Sequence, residues 1–160
     1  MAVRNPRLPQ EEPPGPEISA APEVPDFDLK PAHVLVVDDN EIDLQVGEEF
    51  CRLLGFSCEF ARDGAEAVAA AGVVRFDLIL MDICMPRMDG VEAARLIRQL
   101  PGPAGMRPII AITANADHLD VADYLAAGIF ATVAKPIAAA KLFDAIGRAL
   151  AGGKPMRKSG

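Results

Sequence analysis

The sequence is poor in the features that mark several large functional classes. Its three cysteines, Cys51, Cys58 and Cys84, make no CxxC pair and no metal-ligand spacing. So sparse and odd a set fits a reducing cytosol better than a disulfide scaffold. There is no basic stripe, no zinc-finger spacing and no aromatic RNA-reading motif, and the formal charge is −7, so direct nucleic-acid binding is not expected. No run approaches the ~18 apolar residues of a membrane helix. The opening "MAVRNPRLPQ" lacks the apolar core of a signal peptide. These absences predict a cytoplasmic protein without membrane insertion.

What is present suits one domain with a tail: 160 residues, 51% of them apolar, enough to bury a core. Residues 1–30 hold seven of the fourteen prolines, six acidic and three basic side chains, and so −3 of the −7 charge. Proline removes amide donors and resists helix, so this stretch reads as an extended, disordered tail, with a docking or linker role as the alternative. The folded domain is expected over 31–151, followed by a short basic tail, 152–160.

Within the domain, apolar runs alternate with helical patterns. Strands are expected at His33–Val37, Phe56–Phe60, Asp77–Met81, Pro108–Thr113 and Ile129–Ala134. The first helix places Ile42, Val46, Phe50 and Leu53 on one face and ends at Gly55. A small-residue helix runs between Asp63, its cap, and Gly72. Val91–Leu100 is a third, stopped by "PGP"; His118–Ala127 is a fourth, ended by Gly128. Ala138–Leu150 is the last, with Leu142, Ile146 and Leu150 on one face. The strands are unbroken apolar runs rather than alternating ones. That is the pattern of a parallel sheet covered on both faces by helices.

Ligands of such sheets bind at the carboxyl ends of the strands. Strand one ends in Asp38-Asp39, strand three in Asp82, strand four in Thr113 and strand five in Lys135-Pro136. Each residue alone has an ordinary reading: an aspartate after a strand caps the next helix or makes a turn, a threonine suits a strand, a lysine is solvated. Those readings do not explain why all of them share one edge. Three close carboxylates repel unless one is protonated or a cation sits among them. Hard oxygen ligands in a partly open site suggest Mg²⁺, which retains waters and seeks phosphate. A metal, an ammonium and a hydroxyl are the parts phosphoryl transfer needs, and one carboxylate can act as its nucleophile.

At "VLVVDDN", "LILMDICMPRMDG", "IIAITANA" and "VAKPI" the sequence resembles a response-regulator receiver domain of two-component signalling, over about residues 31–150. "MDICMPRMDG" and "AITANA" are most similar to receivers attached to hybrid sensor kinases. The resemblance implies a doubly wound five-stranded parallel α/β sheet of flavodoxin-like order 2-1-3-4-5, with helices on both faces. It implies Asp82 as phosphoacceptor. Asp39, Asp82 and the backbone carbonyl of Cys84 would ligate Mg²⁺, with Asp38 acting mainly through water. Thr113 would bond the phosphoryl oxygens, and Lys135 would neutralise them. The Lys135–Pro136 bond would be cis. The implied donor is a histidine kinase or histidine phosphotransfer protein, and the implied output is a downstream protein bound at the helix 4, strand 5, helix 5 face. Such a domain catalyses its own phosphoryl transfer and dephosphorylation and is not a metabolic enzyme.

Two positions depart from the family pattern. Cys84 stands where a polar or amide side chain often affects phosphoryl lifetime. Thr132 stands where many relatives carry an aromatic that swings inward, and Phe130, on the same strand face, is expected in the core rather than as its substitute. Cys84 has no close basic neighbour in sequence to activate its thiol. His118 opens a short helix without the bundle of a phosphotransfer domain. The expected function is a single-domain phosphorylation-activated switch. The alternatives are a phosphorelay intermediate or hybrid-kinase receiver fragment, a phosphorylation-independent binding module, and a haloacid-dehalogenase-like phosphatase. That last class needs a second acid where this chain has Cys84. Ile42 and Val46 are assigned to the core, with docking of the phosphodonor as their other use.

Overall fold

The computed structural model describes residues 31–114 and 121–152. Five strands and five helices alternate: β1 (His33–Val37), α1 (Glu41–Leu53), β2 (Ser57–Ala61), α2 (Gly64–Val73), β3 (Leu78–Asp82), α3 (Gly90–Arg98), β4 (Ile109–Thr113), α4 (Val121–Ala126), β5 (Ala131–Ala134) and α5 (Ala139–Leu150). All pairings are parallel, in the order β2-β1-β3-β4-β5. The expected doubly wound sheet is therefore the observed one. The tails at 1–30 and 153–160, and His118, lie outside the described residues.

Successive strand residues point to opposite faces, and this sheet has a core on each. Leu35, Val37, Ile79, Met81, Ile109 and Ala111 pack with residues of α2 and α3. Val34, Val36, Leu78, Leu80, Ile110 and Ile112 pack with Leu44 of α1 and Leu142 and Ile146 of α5. Both faces are buried, so β1, β3 and β4 have no polar alternation. β2 is an edge strand and is mostly exposed.

The first helix differs from its expected facing. Ile42 is 69% exposed and Val46 37%, while Leu44, Gly47 and Cys51 are buried. The assignment of Ile42 and Val46 to the core is thus incorrect. The cause is Gly47: a Cβ there would come within 2.7 Å of Val36 Cγ1. The helix backbone approaches the sheet at Gly47, Leu44 and Cys51 face the core beside it, Phe50 packs on the core's margin, and Ile42 and Val46 are left turned away. Asn40, rather than Asp38 or Asp39, caps this helix, its side chain accepting from the amides of Ile42 and Asp43.

A 3-10 turn, Gly102–Met106, follows α3 where the sequence suggested only a stop. Arg98, at the end of α3, holds this region together. Its guanidinium donates to the carbonyls of Gly105 (3.1 Å), Arg107 (2.7 Å) and Gly128 (2.5 Å). Burial pulls its pKa below the ordinary value, which such carbonyl dipoles tolerate. Arg98→Met keeps the aliphatic stem but deprives part-buried carbonyls of their donor. A loss of about 2 kcal/mol is expected in urea unfolding.

Candidate phosphoryl-acceptor site

The carboxyl ends of β1, β3, β4 and β5 bring the chemistry-bearing residues to one edge. Asp82 is the last residue of β3, with its main chain bonded into the sheet, and is 4% exposed. Asp38 follows β1 and is equally buried, whereas Asp39 is exposed. Ligand atoms of Asp38, Asp39 and Asp82 all lie within 4.8 Å of one another. Thr113 ends β4 and is buried. Its carbonyl accepts from the amide of Lys135 at 2.8 Å, which anchors the residue after β5 beside it. The Lys135–Pro136 bond is cis.

Lys135 sits among the acids. Its Nζ lies 3.1 Å from Asp38 Oδ2, 3.5 Å from Asp82 Oδ1 and 2.9 Å from Asp43 Oδ2. Burial alone would depress this ammonium. The hydrogen bonds to Asp43 and Asp38 and the charges of Asp38 and Asp82 outweigh it and raise the pKa. Lys135 therefore stays charged. Asp82 is pushed up to about 6 by burial and by the neighbouring Asp38 charge, against the opposing pull of Lys135 and of the Cys84 amide. Burial also raises Asp38, although the Asn40 amide and Lys135 work in the other direction. One ammonium does not neutralise the cluster.

Asp43 lies on a helix rather than at a strand end, where the pattern of strand-terminal residues does not point. It occupies the third position of α1, directly after the Asn40 cap. A first-turn acid of the helix that starts beside Asp38-Asp39 was the available signal.

The loop after β3 is held close to Asp82. The Cys84 amide donates to Asp82 Oδ1 at 3.3 Å, and the Gly90 amide donates to the Ile83 carbonyl at 2.9 Å. A Cβ on Gly90 would lie 2.4 Å from the Asp82 carbonyl oxygen and 2.8 Å from Ile83 Cα. Backbone cannot yield as a side-chain tip does. Gly90→Ala is therefore expected to cost about 2 kcal/mol in thermal or urea unfolding and to shift the amide resonances of Asp82 to Cys84.

Cys84 itself is exposed. Phe130 precedes β5 instead of lying within it, is half-buried against the α1/α5 core, and carries Arg148 5.8 Å above its ring. Thr132, partly buried, pairs with Ala111.

The arrangement is a cluster of hard oxygen donors, open on the Asp39 side, beside a fixed ammonium and a buried hydroxyl. Such a set suits a small divalent cation and a phosphoryl group. Fold and site together define a signalling domain of the receiver class. The chain belongs to the response regulator receiver domain family, whose model matches residues 34–147. Among solved structures, it is similar to the receiver domain of sensor histidine kinase PA1611 from Pseudomonas aeruginosa PAO1, with a magnesium ion in its active site cleft. That likeness is at 38% identity and a TM-score of 0.68, over 76% of this chain and 99% of that one. It is also similar to chemotaxis protein CheY4 of Vibrio cholerae, at 30% identity and a TM-score of 0.69, over 76% of this chain and 100% of the other. Among curated proteins, the transcription factor SKN7 of Saccharomyces cerevisiae is 36% identical over 65% of this chain and 16% of its own length. The signal transduction histidine-protein kinase BarA of Escherichia coli is 40% identical over 69% of this chain and 12% of its own length. The chain thus spans only a small part of these curated relatives. Among the described residues no helix is long and apolar enough to cross a membrane.

Proposed function

We propose that this receiver domain is a phosphorylation-activated switch that accepts a phosphoryl group on Asp82 and signals through protein contact. The observation that carries the reading is the pair of buried carboxylates Asp38 and Asp82 at the ends of β1 and β3, with the part-buried Lys135 ammonium between them and Asp39 beside it. An Asp82 oxygen would attack phosphorus in line with the leaving nitrogen of a phosphohistidine. The P–N bond breaks as the P–O bond forms, and the imidazole takes a proton from solvent. Burial keeps the Asp82 oxygens poorly solvated, and the rigid strand fixes their position. Lys135, already charged, pairs with the arriving phosphoryl oxygens, and Thr113 supplies a hydroxyl donor.

The donor set suits Mg²⁺, held by Asp39, Asp82 and the Cys84 carbonyl, with Asp38 acting through water. When bound, it supplies positive charge against which the carboxylates and the phosphoryl group do not repel. The donor is a histidine kinase or histidine phosphotransfer protein. Ile42 and Val46, left exposed on α1 next to the acidic edge, support that helix as part of the donor's docking surface. The α4–β5–α5 face is the proposed output surface, and the cytoplasm the proposed location.

Acetyl phosphate with Mg²⁺ is expected to give a base-labile phosphoryl adduct, located at Asp82 by peptide mass spectrometry, with amide shifts around Thr113 and Lys135. An unmodified protein with a silent spectrum would leave only a phosphorylation-independent module. The greater length of the curated relatives supports a second reading, a receiver segment of a hybrid kinase. The length of the native gene product decides between the two.

A further inference from the structure

At the opposite edge of the sheet, where the strands begin, lies a pocket of about 230 Å³ that the phosphoryl chemistry does not use. The end of α2 (Ala71, Val73), Phe76 before β3, and Pro101 of the segment after α3 give it apolar walls; Arg75 and Arg107 stand on it. Val73 is 85% exposed. Neither guanidinium pairs with a carboxylate among the described residues. An apolar hollow flanked by two unneutralised arginines selects an apolar group with acids on either side.

The chain carries such a segment next door. "PDFDLK", 25–30, sets Phe27 between Asp26 and Asp28, and Phe27 is the only aromatic residue in 1–30. It joins the domain at His33, whose ring stacks on Phe76, a wall of the pocket, at 5.1 Å. His33 lies six positions after Phe27, an extended reach of ~20 Å. We propose that the 25–30 segment docks in cis on this pocket, with the Phe27 ring in the hollow and Asp26 and Asp28 on Arg75 and Arg107. Exposed ion pairs are individually weak, but a short tether supplies an effective concentration on the order of 1 mM. An intrinsic affinity of about 0.1 mM then keeps the segment bound about nine-tenths of the time. The active edge stays free, so docking does not depend on phosphorylation.

The test uses the full, unphosphorylated chain. Chymotrypsin cleavage after Phe27 is expected to run about tenfold slower than in Arg75→Glu/Arg107→Glu, following the occupancy above. Adding Asp26→Arg/Asp28→Arg to that variant is expected to restore protection. The protein has no tryptophan, so Phe27→Trp gives a single reporter. Its emission should be blue-shifted and shielded from acrylamide, and should lose both properties when the arginines are reversed. Equal cleavage of wild type and the arginine variant, with an unshielded tryptophan, overturns the proposal. Protection that grows with protein concentration also overturns it, assigning the pocket to the segment of a second copy. An undigested, well-folded arginine variant would do the same, because protection would then not come from the pocket.

Discussion

Asp82→Asn is expected to take up no phosphoryl group from acetyl phosphate and, in metal-free buffer at pH 7, to be more stable than the wild type. The two effects share one cause. The proposed phosphoacceptor is a carboxylate in a buried position beside another carboxylate, and the fold pushes its pKa from 3.8 to about 6. Each unit corresponds to ~1.4 kcal/mol, so keeping Asp82 ionised at pH 7 costs the native state on the order of 2–3 kcal/mol. Asparagine removes that cost, in which the pull of Lys135 is already counted, while burial of its own amide offsets part of the gain. A net gain of about 1–2 kcal/mol is expected in urea unfolding.

The pH dependence has a definite sign. The native state holds the Asp82 proton more tightly than the unfolded chain does. In that window it binds more protons, so stability falls as pH rises from about 4 through about 6 and levels off above. Asp38, also raised, contributes in the same direction, so Asp82→Asn flattens the slope without abolishing it. Magnesium bound at the proposed site would act against the same repulsion. It is expected to stabilise the wild type by RT ln(1 + [Mg²⁺]/Kd), ~1.4 kcal/mol at ten times Kd, and to stabilise the asparagine variant less. A variant that is less stable than wild type at pH 7 in chelator, with an unchanged pH slope, would mean that Asp82 carries no electrostatic strain.

The sheet and most of the site were legible because they follow from one-dimensional signals. Unbroken apolar runs mark strands buried on both faces, and parallel strands align their carboxyl ends, so Asp38, Asp82, Thr113 and Lys135 could be brought to one edge by counting. Helix facing was less legible. A spacing of four, four and three made Ile42, Val46, Phe50 and Leu53 look like a core stripe; Phe50 does pack against the core, but Ile42 and Val46 do not. Contact with the sheet is instead decided by where the backbone can approach it, and Gly47 permits that approach against Val36. Glycine adds nothing to an apolar count, so the pattern misleads where close approach matters. Asp43 was missed for a related reason. Its role comes from the long reach of a side chain 92 positions away in sequence, which no local pattern records.

That reach makes Lys135→Met the harshest change to the fold. Asp38 and Asp82, with side chains 7% and 5% exposed, would face each other with no cation. Removing one partner of a buried ionic group costs about 3–5 kcal/mol, and a loss of that size is expected at pH 7 without magnesium. At pH 5, below the Asp82 value of about 6, a protonated carboxyl needs no cation, so the loss should shrink. Saturating Mg²⁺ should recover part of it, through the acids alone. Asp43, about one-third exposed, supplies the control. In the wild type, Asp43→Asn removes a lysine partner and is expected to cost about 1 kcal/mol or less. In the Lys135→Met background the same change removes one of the mutually repelling charges and should stabilise. That reversal of sign in a double-mutant cycle separates electrostatics from packing. A Lys135→Met penalty equal at pH 5 and pH 8, indifferent to magnesium and to residue 43, would assign the lysine to packing alone.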